Sequence, residues 1–351
     1  MTNNITNIDL QTQSYDYFLP EESIANIPAE PRDTSKLMII DRKNNTIEHT
    51  IFRNIKNVLN KGDTIVLNDT RVLPARLYGK KNHDGALIEV LLIRELEKDT
   101  WLILAKPGKR LKKGTLVFFN DELKCYVMDI LETGERIVKF EYPSNKSFLE
   151  VLKSYGEVPF PPYITKPECD SERYQTVYSK EEGSVAAPTA GLHFTNELME
   201  ELGEMGVNIN YVTLHIGLGT FLPVKTDNIL EHKMHKEYYE MSEETAELLN
   251  KQKKDKKRII AVGTTVTRTL ETILNKHETF LKTDGDSEIF IYPGYKFKAI
   301  DGLITNFHLP ASTLLMLVSA LWDREKLLKS YETAKELNYK FYSLGDSMMI
   351  I

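Results

Sequence analysis

Cysteine is nearly absent from this chain. Only Cys125 and Cys169 occur among 351 residues, in no paired motif. That argues against a disulfide framework and against a cysteine zinc site, and it fits a reducing compartment. No secretory leader is expected either, because Met1 to Gln13 is largely polar and lacks a signal-peptide core. The apolar run Leu314 to Leu321 is too short to span a bilayer, so a cytoplasmic protein without a membrane partner is expected. An excess of positive charge is also lacking: the net charge is −6 at pH 7. This disfavours a sequence-blind nucleic-acid binder but leaves room for a local basic face. Two such concentrations occur, Lys106, Lys109, Arg110, Lys112 and Lys113, and Lys253, Lys254, Lys256, Lys257 and Arg258. Each alone reads as a solvated hairpin tip and a solvated helix end.

Nucleotide fingerprints are absent as well. Gly217-Leu218-Gly219 lacks the third glycine of a dinucleotide-binding turn, and no lysine-bearing phosphate loop exists. His232 and His235 sit three residues apart, expected on one face of a surface helix. A zinc protease would need i, i+4 spacing and a glutamate between them, so no metal is expected. No internal repeat and no low-complexity tract is evident.

What is present suggests two domains. Hydrophobic content of 41% and charged content of 27% are ordinary for a globular chain. Early on, Lys36 to Asp41 reads as a strand, Arg53 to Leu59 as a short helix, and Thr64 to Asn68 as a buried strand. From Ala75 to Tyr142 the texture changes to closely spaced strands: Ala75 to Gly79, Ala86 to Glu95, Thr100 to Ala105, Thr115 to Phe119, Leu123 to Leu131 and Arg136 to Tyr142. Turn signals such as Asn82-His83-Asp84-Gly85 and Thr133-Gly134-Glu135 separate them, which suggests a small antiparallel β-barrel. Helix and strand then alternate: helices at Thr195 to Met205, Ser242 to Lys256, Thr267 to Leu274 and most of Ser312 to Leu337, and strands at Asn208 to His215, Arg258 to Val262, Ile289 to Tyr292 and Gly302 to Asn306. The expected architecture is an α/β major domain, a layered α/β sandwich, formed by residues 1–74 and 151–351, with an inserted small antiparallel β-barrel domain at 75–150.

The most distinctive stretch is Gly183 to Thr195. Its first half carries almost only small side chains, which permit close approach of the backbone to whatever lies beside it. It then delivers His193 and a helix start at Thr195-Asn196-Glu197. Several strand ends are polar: His215-Ile216-Gly217, Gly263-Thr264-Thr265 with Arg268 one turn on, and Phe307-His308-Leu309-Pro310. Any one of these is an ordinary strand-to-helix turn; three together suggest a shared site at the carboxyl ends of a sheet. Arg173-Tyr174-Gln175-Thr176-Val177-Tyr178 is either a turn with a buried tyrosine or a surface that stacks on an extruded base. Asp69-Thr70-Arg71 is either a salt-bridged hinge or a carboxylate and a cation facing the crevice.

Together these blocks resemble the S-adenosylmethionine:tRNA ribosyltransferase-isomerase family of queuosine biosynthesis. The matching stretches are Tyr15 to Pro20, Leu67 to Leu77, Gly156 to Tyr163, Glu172 to Tyr178, Gly183 to Thr195, Leu214 to Val224, His232 to Glu237, Gly263 to Thr265, Thr305 to Pro310 and Ser312 to Met316. They run in the family's order over nearly the whole chain. The resemblance implies an α/β domain with an inserted barrel, in agreement with the reading above. It also implies transfer of the ribosyl portion of S-adenosylmethionine to 7-aminomethyl-7-deazaguanine at the tRNA wobble position, giving epoxyqueuosine-tRNA with release of adenine and methionine. S-adenosylmethionine would be a consumed co-substrate, with no true cofactor, and tRNA the macromolecular partner of a monomeric enzyme.

For that chemistry His193, His215 and His308 are acid–base candidates, and Asp69 is an alternative base. Arg71, Arg173 and Arg268 can hold the methionine carboxylate or a tRNA phosphate. Thr189, Gly191, Gly217, Gly219, Thr264 and Asn306 are expected ligand contacts, with Tyr174 and Gln175 at the base. Lys109, Arg110 and Lys112 are expected at the tRNA backbone. Two rivals are an RNA methyltransferase, which lacks its glycine-rich turn here, and a non-catalytic tRNA-binding module, which leaves the polar strand ends unexplained.

Overall fold

The computed structural model describes residues 6–82, 84–161, 163–164, 169–217 and 224–351. The chain divides into two compact units. The first comprises Met1–Arg71, Pro161–Glu181 and Ala187–Ile351; the second comprises Val72–Phe160 and Glu182–Ala186.

The first unit is built on a nine-stranded sheet. Its middle is parallel: Asn208–Leu214, Thr64–Asn68, Ile259–Val262 and Gly302–Asn306 lie side by side in that order. Val66 stands opposite Asn210 on one neighbour and Ala261 on the other. Every residue of Thr64–Asn68, Ile259–Val262 and Gly302–Asn306 is buried, as expected when helices cover both faces of a parallel sheet. Helix Thr264–His277 is buried from Thr264 through Leu274. A core of Ile65, Leu67, Phe194, Leu198, Val262 and Ile304, among others, fills one face.

The flanks of the sheet are mixed. Ser347–Ile350 pairs antiparallel with Gly302–Asn306 and parallel with Lys36–Asp41, which Thr46–Ile51 extends as a hairpin. On the other side Glu237–Met241 and then Thr283–Ser287 add antiparallel strands. That last strand, of sequence TDGDS, is polar. The expected strand over Ile289 to Tyr292 does not form; that stretch is irregular, with Ile291 buried. The expected helix around His232 to His235 is likewise absent, because only the single turn Ile229–Glu231 forms before extended chain. The long helical run after Ser312 breaks into Thr313–Leu321 and Arg324–Glu336, where Asp323 caps the second helix by accepting from Lys326 N–H.

The second unit contains a closed six-stranded barrel in the order Arg136–Glu141, Thr100–Lys106, Leu87–Glu97, Arg76–Lys81, Leu116–Phe118 and Lys124–Ile130. Alternation places Ile88, Val90 and Leu92 inside, as a barrel requires. This unit runs past residue 150. Helix Phe148–Tyr155 opens with a capping box between Ser147 and Glu150, and the Phe148 ring packs against those of Trp101, Phe140 and Tyr142. The expected hairpin tip at Lys109 is instead a connector: the turn Gly108–Arg110 leads from one barrel strand to another that it does not pair with.

Candidate active site

Parallel packing brings four strand ends to one edge of the sheet. Asp69 follows Asn68, His215 follows Leu214, Gly263 follows Val262, and Phe307 and His308 follow Asn306. This carboxyl edge is where open α/β sheets bind ligands. A cavity lies there, lined by Thr189, Ile216, Thr264, Asn306, His308 and Tyr342 with their neighbours. Gly263 has φ 96, a left-handed conformation that lets the chain turn sharply from strand into helix Thr264–His277 at the cavity wall.

His193 stands behind this wall and not in it. It is 4% exposed and stacks on Phe52. Its Nδ1 lies 2.8 Å from Ser35 Oγ, and its Nε2 lies 3.1 Å from Asn306 Nδ2. The Asn306 amide oxygen accepts in turn from Thr189 Oγ1 at 2.9 Å. Burial, with added repulsion from Arg173 and Arg32, lowers the imidazole pKa to about 3. His308 is held similarly. Its Nε2 lies 2.8 Å from Thr305 Oγ1, its backbone N–H donates to Tyr331 Oη, and burial lowers its pKa to about 3.

Asp69 and His215 keep partial exposure. Thr213 Oγ1 donates to Asp69 Oδ1 at 2.7 Å, and Thr70 Oγ1 lies 2.8 Å from His215 Nδ1. Burial raises the Asp69 pKa, opposed by the Thr213 bond and assisted by Glu181. Burial lowers that of His215, against the pull of Glu240 and Glu181. Burial is thus the first cause of both shifts, and perturbed groups of this kind cluster at functional sites.

The three expected anion-holding cations have internal acceptors. Arg268 pairs with Glu237, whose other oxygen accepts the Gly217 N–H at 3.2 Å. Arg71 reaches Glu172 and, at 2.9 Å, Ser179 Oγ. Arg173 donates to the Ala29 carbonyl at 2.7 Å and lies 3.4 Å from Glu30. Tyr174 and Gln175 are buried, at the end of the turn Ser171–Tyr174 and just after it. Gly191 is small for Tyr178: a Cβ there would stand 1.9 Å from the Tyr178 hydroxyl. Around Gly217 a Cβ would meet nothing within 4 Å among the described residues. Gly219 lies outside the described residues. Lys109, Arg110 and Lys112 are exposed on the barrel unit.

Sequence reasoning missed Ser35, Tyr163, Tyr342 and Ser343. The last three line the cavity, and Tyr342 adopts φ 73, rare for a bulky residue. Nothing in the local sequence around Tyr342 signals that conformation.

A mostly apolar cavity with a few polar groups, among them Thr189, Asn306 and His308, at the carboxyl edge of a mixed sheet, in a chain with an inserted barrel, marks a ligand-binding protein of the α/β class. The model of the queuosine biosynthesis protein family matches residues 12–350. The chain is also similar to the crystal structure of an S-adenosylmethionine tRNA ribosyltransferase from Thermotoga maritima. The two share 37% identity over 96% of this chain and 100% of that one, with a TM-score of 0.56. The chain belongs to the queuosine biosynthesis protein family, as its motifs suggested, and is a transferase. No helix among the described residues is long and apolar enough to cross a membrane.

Proposed function

We propose that this enzyme moves the ribosyl portion of S-adenosylmethionine onto the aminomethyl group of 7-aminomethyl-7-deazaguanine at the tRNA wobble position. Adenine and methionine leave, and the sugar carbons rearrange to the epoxycyclopentanediol of epoxyqueuosine. The observation that carries this reading is the cavity at the carboxyl edge of the sheet, mostly apolar with a few placed polar groups, in a chain matched to its family from residue 12 to residue 350. The positive sulfur acidifies the 5′ carbon beside it, so a base can start the reaction. Asp69 and His215 suit proton transfer, because both remain partly open and burial shifts the pKa of each. His193 behind the wall and His308 in it, both buried and neutral, suit hydrogen bonding.

S-adenosylmethionine is consumed, and no metal or other cofactor is required by this scheme. The enzyme would act as a cytoplasmic monomer. The tRNA backbone would meet Lys109, Arg110 and Lys112, and the wobble base would be splayed out for reading, as bases in RNA loops are. The test is incubation with S-adenosylmethionine and tRNA carrying the deazaguanine base. Released adenine and methionine are expected. S-adenosylhomocysteine would mean a methyltransferase, and no turnover a binding module.

A further inference from the structure

The hydrogen bonds behind the cavity wall have a direction, and it can be read from one end to the other. Strand Gly302–Asn306 pairs with Ser347–Ile350, which puts the Asp346 carbonyl 3.5 Å from Asn306 Nδ2. A carbonyl accepts only, so the amide nitrogen of Asn306, and not its oxygen, belongs on that side. The same nitrogen faces His193 Nε2. That ring nitrogen must therefore accept, and in a neutral imidazole the proton then sits on Nδ1 and is donated to Ser35 Oγ. An imidazolium would set its Nε2–H against the Asn306 N–H, beside the charges of Arg32 and Arg173. With its nitrogen committed, Asn306 turns its oxygen to Thr189. The single hydroxyl hydrogen of Thr189 is spent on that oxygen. Thr189 lines the cavity and is part-exposed, so what it offers there is lone pairs alone.

We infer that Ser35, His193 and Asn306 are positioning residues that make Thr189 an acceptor-only contact, selecting a ligand group that donates an N–H or O–H. This deepens the reading above and rests on it for the identity of the ligand. S-adenosylmethionine carries three kinds of such donor: the adenine amino group, the ribose hydroxyls and the methionine ammonium. A bond whose orientation is fixed from behind discriminates more sharply than a free hydroxyl, which rotates to suit either partner.

Two measurements on the full-length protein test this. The first is nitrogen-15 NMR of the histidine rings, with His193→Gln to assign the signal. A neutral ring protonated on Nδ1, with no titration between about pH 5 and pH 8, is expected. The opposite tautomer, or a proton taken up in that range, overturns the proposal. The second is calorimetric binding of S-adenosylmethionine. Thr189→Ser should bind within about three-fold of the parent and Thr189→Val roughly ten-fold or more weakly. Analogues lacking the amino group, a ribose hydroxyl or the ammonium should include one against which Thr189→Val loses nothing further. Equal loss against every analogue overturns the acceptor role. If the parent protein fails to bind S-adenosylmethionine at all, the functional reading falls, while the NMR result still decides the direction of the bonds.

Discussion

Arg268 and Glu237 form the most completely buried ion pair among the described residues, with side chains 3% and 2% exposed. The pair ties helix Thr264–His277 to the strand Glu237–Met241, and Glu237 also takes the Gly217 N–H. Removing one partner leaves the other charge in a poorly solvated place. Arg268→Met is expected to cost about 3–5 kcal/mol in denaturant unfolding, and the Arg268→Met/Glu237→Met double variant clearly less than the sum of the singles. Additive losses would show that the two side chains act separately.

The buried histidines predict a pH dependence of stability. His193 and His308 have folded pKa values of about 3, well below the ordinary value of 6.5. Above that ordinary value both folded and unfolded chains are neutral at these sites. As pH falls below it, the unfolded chain gains protons that the folded one refuses. Stability therefore drops through this window, towards the folded values, by about 1.4 kcal/mol per pH unit for each histidine. Urea unfolding near neutral pH and near pH 5 should give a shallower slope for His308→Gln than for the parent. Identical slopes would mean that His308 is protonated in the folded protein.

Gly191 predicts a steric effect. A Cβ would also stand 2.9 Å from Thr176 Cγ2. Gly191→Ala should lower stability by about 1–3 kcal/mol, with part recovered in Gly191→Ala/Tyr178→Phe, where the hydroxyl is gone. The check is the thermal midpoint of each variant; an unaltered midpoint for Gly191→Ala would show that Tyr178 has room to move.

The exposed cations of the barrel unit predict a binding effect free of any catalytic one. Reversing Lys109, Arg110 and Lys112 to glutamate should weaken tRNA binding and reduce its salt slope by about 0.7–0.9 for each phosphate that is no longer neutralised. Affinity for S-adenosylmethionine should stay unchanged. Full tRNA affinity in the triple variant would move the RNA surface elsewhere.

Much of the fold was legible because its signals are local. The bounds of Lys36–Asp41, Thr64–Asn68 and Gly302–Asn306 follow from short apolar runs closed by polar or turn residues. Thr283–Ser287 escaped for the converse reason: TDGDS has no strand pattern, and only the ladder offered by Glu237–Met241 makes it extended. The site was half legible. The polar strand ends could be named and expected to share a site at the carboxyl edge of a sheet, but not which side chains meet behind it. The hydrogen bond of His193 with Asn306 joins positions 113 residues apart, and that of Ser35 with His193 joins positions 158 apart. Such pairings are products of the fold, and no spacing rule reaches them.

The place of Ser347–Ile350 in the sheet also sets an order for synthesis. Among the described residues Lys36–Asp41 has only its hairpin partner Thr46–Ile51 and this strand beside it. A ribosome that has delivered the first hairpin must therefore deliver some three hundred further residues before the strand that links it to Gly302–Asn306 exists. Until then the apolar strand Lys36–Asp41 keeps one open ladder, joined late in synthesis by that of Gly302–Asn306, a state prone to mispairing with other chains. Variants that delay or weaken docking of Ser347–Ile350 are therefore expected to lose yield of folded enzyme during synthesis.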